Sequence, residues 1–172
     1  MLLQNTKLLM SQHSFLGLKR KNILAVVWLP LIWLMTLMPV SAFALEFRSV
    51  AVPKAVLYDA PSSAAKKILL LSQYYPVEII VNLGDWLKVR DAQGSISWIE
   101  AKQLSEKRTV IVIANNAEIR QAADAASGLV ATLEKNVALE VVDVKLNNGW
   151  LKVKHRDGVT GYILMSSTWG FN

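Results

Sequence analysis

The sequence predicts an all-β protein: two small closed sheets in tandem behind an N-terminal signal peptide helix. Three observations predict it. A basic and then apolar segment is confined to the first 44 residues, the remainder repeats itself with a period of roughly 60 residues, and each copy alternates apolar and polar side chains in short runs.

The leader comes first. Lys19, Arg20 and Lys21 precede an apolar run from Ile23 to Met38, followed by Pro39, Ser41 and the triplet Ala42-Phe43-Ala44. A basic end that stays in the cytoplasm, an apolar stretch that enters the membrane and a small-x-small cleavage site make a secretory signal peptide. Cleavage is expected after Ala44, with Ala42 and Ala44 filling the small-residue positions. The other reading is an uncleaved anchor. Against it, the run has 16 residues where a spanning helix needs about 20, and Pro30 interrupts it. The membrane is therefore expected as a partner only during export.

Removing the leader changes what the charge means. The chain has 19 Lys and Arg against 13 Asp and Glu, a net charge of +6. Four of those cations and none of the anions lie in the leader, so residues 45–172 carry 15 against 13, a net of +2. No clustered basic face remains, and no nucleic-acid partner is expected. There is no cysteine, which excludes disulfides and thiolate metal sites and leaves core packing to hold an exported chain together.

The repeat organises the rest. Gly84-Asp85-Trp86-Leu87-Lys88-Val89-Arg90 returns as Asn148-Gly149-Trp150-Leu151-Lys152-Val153-Lys154, and Gly94, Trp98 and Ile99 return as Gly158, Tyr162 and Ile163. Upstream, Val77-Glu78-Ile79-Ile80 matches Leu139-Glu140-Val141-Val142 at a spacing two residues shorter, so the second copy carries a two-residue insertion before Trp150. The domains expected are 1–44 for the leader, 45–106 for the first copy and 107–172 for the second.

Alternation places strands in copy one near Ala55–Tyr58, Ile68–Leu71, Pro76–Asn82, Trp86–Asp91 and Ser95–Ile99. In copy two it places them near Arg108–Ile113, Glu118–Arg120, Leu129–Leu133, Ala138–Lys145, Trp150–His155 and Val159–Ile163. Turns fall on residues that tolerate positive φ, as in Leu83-Gly84-Asp85 and Asn147-Asn148-Gly149. The alanine-rich region Ala114–Ala126 has the weakest pattern and reads largely as loop. Several short hairpin-linked strands in roughly 60 residues make a small barrel.

These residues carry a family resemblance. The apolar-Glu-apolar strand, the Gly/Asp-Trp-x-Lys-Val run, the Gly turn and the closing aromatic-apolar pair resemble bacterial SH3-like (SH3b) domains. The pair resembles the tandem form exported by Gram-negative bacteria, including Lys107-Arg108-Thr109-Val110-Ile111-Val112 at the start of copy two and Trp169-Gly170-Phe171 near its end. The resemblance implies a periplasmic location. It also sets Trp86 at the position of the groove tryptophan of polyproline-binding relatives. That groove is incomplete here: Ala60 stands where an aromatic is expected, and Glu100 and Leu164 stand where a proline is expected, so no polyproline ligand is expected.

Strand parity singles out candidate ligand-binding residues. With Leu87 and Val89 pointing inward, Trp86 shares the outer face with Lys88 and Arg90, and Trp150 shares it with Lys152 and Lys154. A flat apolar ring between cations is a binding platform; the competing reading is that each tryptophan covers the end of its barrel. Tyr58, Tyr74, Tyr75, Trp98 and Tyr162 are secondary candidates. One histidine, His155, remains after the leader, and no nucleophile elbow, metal-binding helix or phosphate loop appears. No enzymatic activity and no cofactor or metal are expected. The sequence leaves two functions open: recognition of peptidoglycan or its peptides, or a protein–protein scaffold of an envelope complex without glycan affinity.

Overall fold

The computed structural model describes residues 45–171; the leader, with Ala42 and Ala44, lies outside the described residues. The first sheet is built from β1 (Glu46–Val50), β2 (Lys54–Tyr58), β3 (Lys67–Ser72), β4 (Pro76–Asn82), β5 (Trp86–Arg90), β6 (Ile96–Glu100) and β7 (Leu104–Ser105), with one 3₁₀ turn at Ala101–Gln103. The second is built from β8 (Thr109–Val112), β9 (Asn116–Arg120), β10 (Leu129–Glu134), β11 (Ala138–Asn147), β12 (Trp150–Lys154), β13 (Thr160–Leu164) and β14 (Thr168–Trp169), with its own 3₁₀ turn at Met165–Ser167. Strand order is β3-β2-β6-β5-β4-β1-β7 in one and β10-β9-β13-β12-β11-β8-β14 in the other. Each strand of one sheet has its counterpart in the other, so the duplication seen in the sequence is a duplication of topology. The described residues thus form two tandem small β-barrels of one topology, as the repeat predicts.

Alternation sets the cores. Val50, Ala55, Leu57, Leu71, Val77, Leu87, Val89 and Ile99 are buried together in the first barrel. Val110, Val112, Ala117, Ile119, Leu139, Val141, Leu151, Val153 and Ile163 are buried together in the second. Each fully buried Leu or Ile contributes about 1.5–3 kcal/mol relative to exposure, and small barrels without disulfides depend on that sum.

Three departures have physical causes. Parity and turn signals do not mark β1 or β14. β1 buries Phe47, Ser49 and Val50, and the polar Ser49 fits because its hydroxyl meets that of Ser105 on β7 at 3.0 Å. The region read largely as loop holds β9, which starts two residues before the Glu118–Arg120 strand expected there; the segment after Arg120 is a turn, closed by the Ser127 hydroxyl, which donates to the carbonyls of Ala122 and Asp124. The two-residue insertion lengthens one hairpin. β4 spans seven residues and β11 ten, and the β11–β12 turn is Asn148-Gly149, both at positive φ (49° and 81°). That is the two-residue turn whose twist suits a hairpin.

The barrels meet along a seam. The Trp169 ring stands edge-on to Phe47, with centroids 5.2 Å apart and planes at 88°. Gly170 follows at φ 113°, and a Cβ there would come within 2.6 Å of Pro76, so the C-terminal strand seats on the first barrel only because this residue has no side chain. Lys107 pairs with Glu140 at 2.8 Å and lies 5.1 Å from the centre of the Tyr74 ring.

Candidate functional site

β5 presents two faces. Leu87 and Val89 are fully buried, which turns Trp86, Lys88 and Arg90 outward, half-buried. Register then decides what each meets. Lys88 lies opposite Trp98 on β6, with its ammonium 5.7 Å from the ring centre, within cation–π range. Trp86 lies opposite Glu100 and packs edge-on against Tyr58, with centroids 5.3 Å apart. Tyr58 is itself only 7% exposed, so it supports the indole from beneath. Arg90 donates to the carboxylate of Glu78 at 3.1 Å. Glu78 is 5% exposed, and a buried carboxylate that loses its partner is costly, so Arg90 is committed to the fold. Trp86, Lys88 and Trp98, all partly exposed, remain as the part of this face not held by an ion pair.

Beside Trp86 opens a cavity of about 440 Å³ lined by Pro61, Ser62, Ser63, Asp85, Glu100 and Lys102. Glu100 is held below its ordinary carboxylate value, first by the hydrogen bond donated from the Gln103 amide and then by Lys102; the bonds measure 2.8 Å and 3.3 Å. The same Gln103 amide accepts from the backbone N–H of Val56, which fixes the cavity wall to β2. The site therefore offers an apolar ring, two hydroxyls, two carboxylates and one ammonium. That combination suits a zwitterionic ligand bearing amide, amine and carboxylate groups.

The second barrel does not repeat this face. Parity places Trp150 on a solvated platform, yet it is 7% exposed. Its cross-strand neighbour is Leu164 where Trp86 has Glu100, and the longer β11 carries the ladder up to it, pairing Asn147 with Trp150. The position of Tyr58 is taken by Arg120, which is engaged with Glu118 and the Ser127 carbonyl. Lys152 stands opposite Tyr162, both half-buried, and Lys154 is exposed opposite Thr160. The two sets of candidates lie on separate barrels and do not converge on one site.

A second feature lies at Tyr74, one of the secondary candidates. Tyr74 and Asn136 occupy equivalent turns, at φ 68° and 69°, and both line the seam. Asn tolerates this left-handed conformation; for an aromatic residue it costs about 1–2 kcal/mol. The only trace in the sequence is that Tyr74 falls where the other copy has Asn. Among the described residues no group of three or more metal-ligating side chains comes together, and no helix is long and apolar enough to cross a membrane.

Comparison with known proteins agrees with this architecture. A family model described as bacterial SH3 domain matches residues 51–106 and again 114–170. No curated protein sequence matches. Among solved structures, NlpC2 from Trichomonas vaginalis is similar at 17% identity and a TM-score of 0.33, over 75% of this chain and 49% of that one. NlpC1 from Trichomonas vaginalis is similar at 18% identity and a TM-score of 0.34, over 74% and 46%. The chain spans about half the length of these structures.

Proposed function

The chain belongs to the bacterial SH3 domain family, and from that premise we propose that it is a non-catalytic periplasmic binding protein whose ligand is peptidoglycan or its peptides. The observation that supports this reading is the cavity at Trp86. An indole held edge-on by Tyr58, next to Asp85, Glu100, Lys102 and two serine hydroxyls, matches a ligand that alternates amides with free amines and carboxylates. The export leader expected from the sequence delivers the chain to the compartment where such peptides occur.

The test is sedimentation of residues 45–172 with purified sacculi at low salt. The protein is expected in the pellet, and Trp86→Ala is expected to shift most of it to the supernatant while circular dichroism stays that of a folded β protein. If the unaltered protein remains in the supernatant, the reading is wrong. Trp150→Ala is not an equivalent probe, because that ring is buried.

A protein–protein scaffold is the second reading, favoured by apolar side chains left uncovered on strands. Ile68, Leu69 and Leu70 on β3 are 53%, 48% and 56% exposed, and Val142 and Val144 on β11 are 50% and 64% exposed. Cross-linking in the native envelope discriminates the two: a discrete protein adduct supports the scaffold, and a monomer alone counts against it.

A further inference from the structure

The geometry points to the seam between the barrels as a second binding site, one that takes an extended polypeptide segment with apolar residues followed by carboxylates. It goes beyond the reading of the Trp86 cavity and does not depend on it.

Three adjoining depressions share their walls along the seam. The central one, about 520 Å³, is lined by Ser72, Gln73, Tyr74, Asn136, His155 and Arg156 among others. Past Tyr74 and His155 it continues into a smaller one, about 180 Å³, that adds Glu140 and Lys154. In the other direction, past Ser72 and Asn136, it continues into one of about 270 Å³ between β3 and Ile111. The chemistry is graded along this path: leucines at one end, amides in the middle, cations at the other.

The apolar end has an unfinished ladder. β3 is the last strand of its sheet and pairs only with β2. Five consecutive residues, Leu69 to Gln73, line the depression beside it, which is how a strand lying lengthwise along a groove contributes. An edge strand offers free backbone donors and acceptors to an incoming extended chain, and the exposed Leu69 and Leu70 give that chain apolar contacts. A glycan uses neither.

The far end is cationic in excess. Lys107 is spent on Glu140. Lys154 is exposed and has no ion pair among the described residues, and Arg156 is 78% exposed, touching only Asp157 at 3.7 Å. Lys154, in register with a Glu140 already paired to Lys107, and Arg156, held only by one long exposed ion pair, complement carboxylates on a ligand at the end of the groove. Between the two ends stands Tyr74, in a backbone conformation that asparagine holds without penalty in the other copy. Strain held at a groove wall is characteristic of a binding surface.

The probes are two fluorescein-labelled hexapeptides, Leu-Val-Leu-Ala-Glu-Asp-amide and its counterpart without acidic side chains, Leu-Val-Leu-Ala-Gln-Asn-amide, titrated into residues 45–172 at low salt with anisotropy as readout. The acidic peptide is expected to bind about three- to tenfold more tightly, the combined effect of two exposed ion pairs. Lys154→Glu combined with Arg156→Glu is expected to abolish that preference. Hydrogen exchange of the β3 amides is expected to slow on binding. Tyr74→Asn is expected to weaken binding in a chain that stays folded, and Trp86→Ala is expected to leave peptide binding unchanged, which separates this site from the sacculus site. Equal affinity for the two peptides, no binding of either, or undiminished binding by the charge-reversed protein overturns the inference. So does a soluble muropeptide that displaces the acidic hexapeptide without protecting β3, which reassigns the groove to cell-wall fragments.

Discussion

Thr109 begins β8, is 2% exposed, and its hydroxyl has no hydrogen-bond partner in the structure. An unpaired buried hydroxyl costs about 1–3 kcal/mol of desolvation that a methyl group of the same shape does not. Thr109→Val is therefore expected to stabilise the protein by about 1 kcal/mol, read as a rise in the thermal midpoint. At this scale the sequence was legible wherever one residue's direction depends only on its own strand. Leu87, Val89, Leu151 and Val153 point inward as parity requires. Trp150 was legible only as two alternatives, a platform or a cover over the barrel end, because its burial, which favours the second, is decided by Leu164 across the ladder and by the length of β11, and neither is encoded in the run Trp-Leu-Lys-Val. Arg90 was misleading for a related reason. Its role follows from Glu78, a neighbour in register but 12 residues away in sequence.

Among the elements, the hairpins were legible because their turns need particular residues. The insertion in copy two turns a three-residue connection into the Asn148-Gly149 turn, and Gly149 at φ 81° is the residue that allows it. No atom outside its chain neighbours lies within 4 Å of where a Cβ would sit, so Gly149→Ala tests conformation alone. It is expected to cost about 1–2 kcal/mol in chemical denaturation without altering the spectrum of the folded state. The elements missed were those that lack a turn of their own. β1 follows the leader directly, and β7 and β14 are two-residue strands that exist only because β1 and β8 need a partner on their second side. Short strands of this kind are specified by the sheet they complete and not by their composition.

For the whole molecule, the duplicated topology was legible from spacing alone, whereas the individual contacts of the seam were not, because it joins residues that the repeat treats as equivalent into contacts that are not. Lys107 bridges the barrels, and its ammonium is held above the ordinary value of 10.5 chiefly by its hydrogen bond to Glu140. Tyr75, which also lines the seam, has its phenol pushed above 10.0, chiefly by burial. Both groups hold their protons more tightly in the folded chain. The stability they supply is thus fully present below those ordinary values and is lost as pH rises through the folded ones. Glu100, held below 4.5, works in the opposite sense, and its contribution fades only as pH falls below that value. The thermal midpoint is expected to decline as pH rises above about 10, and Glu140→Gln is expected to blunt the decline; an unchanged slope in that variant would exclude the bridge as its source.

The placement of Trp169 and Gly170 has a consequence for when the protein matures. A chain made from its N-terminus presents Phe47 and Pro76 long before the residues that cover them. The first barrel must therefore wait, with that flank wet, until Trp169 and Gly170 have been made. Completion of the fold is thus a late event of synthesis, and a chain stalled short of Trp169 would keep a sticky aromatic patch exposed.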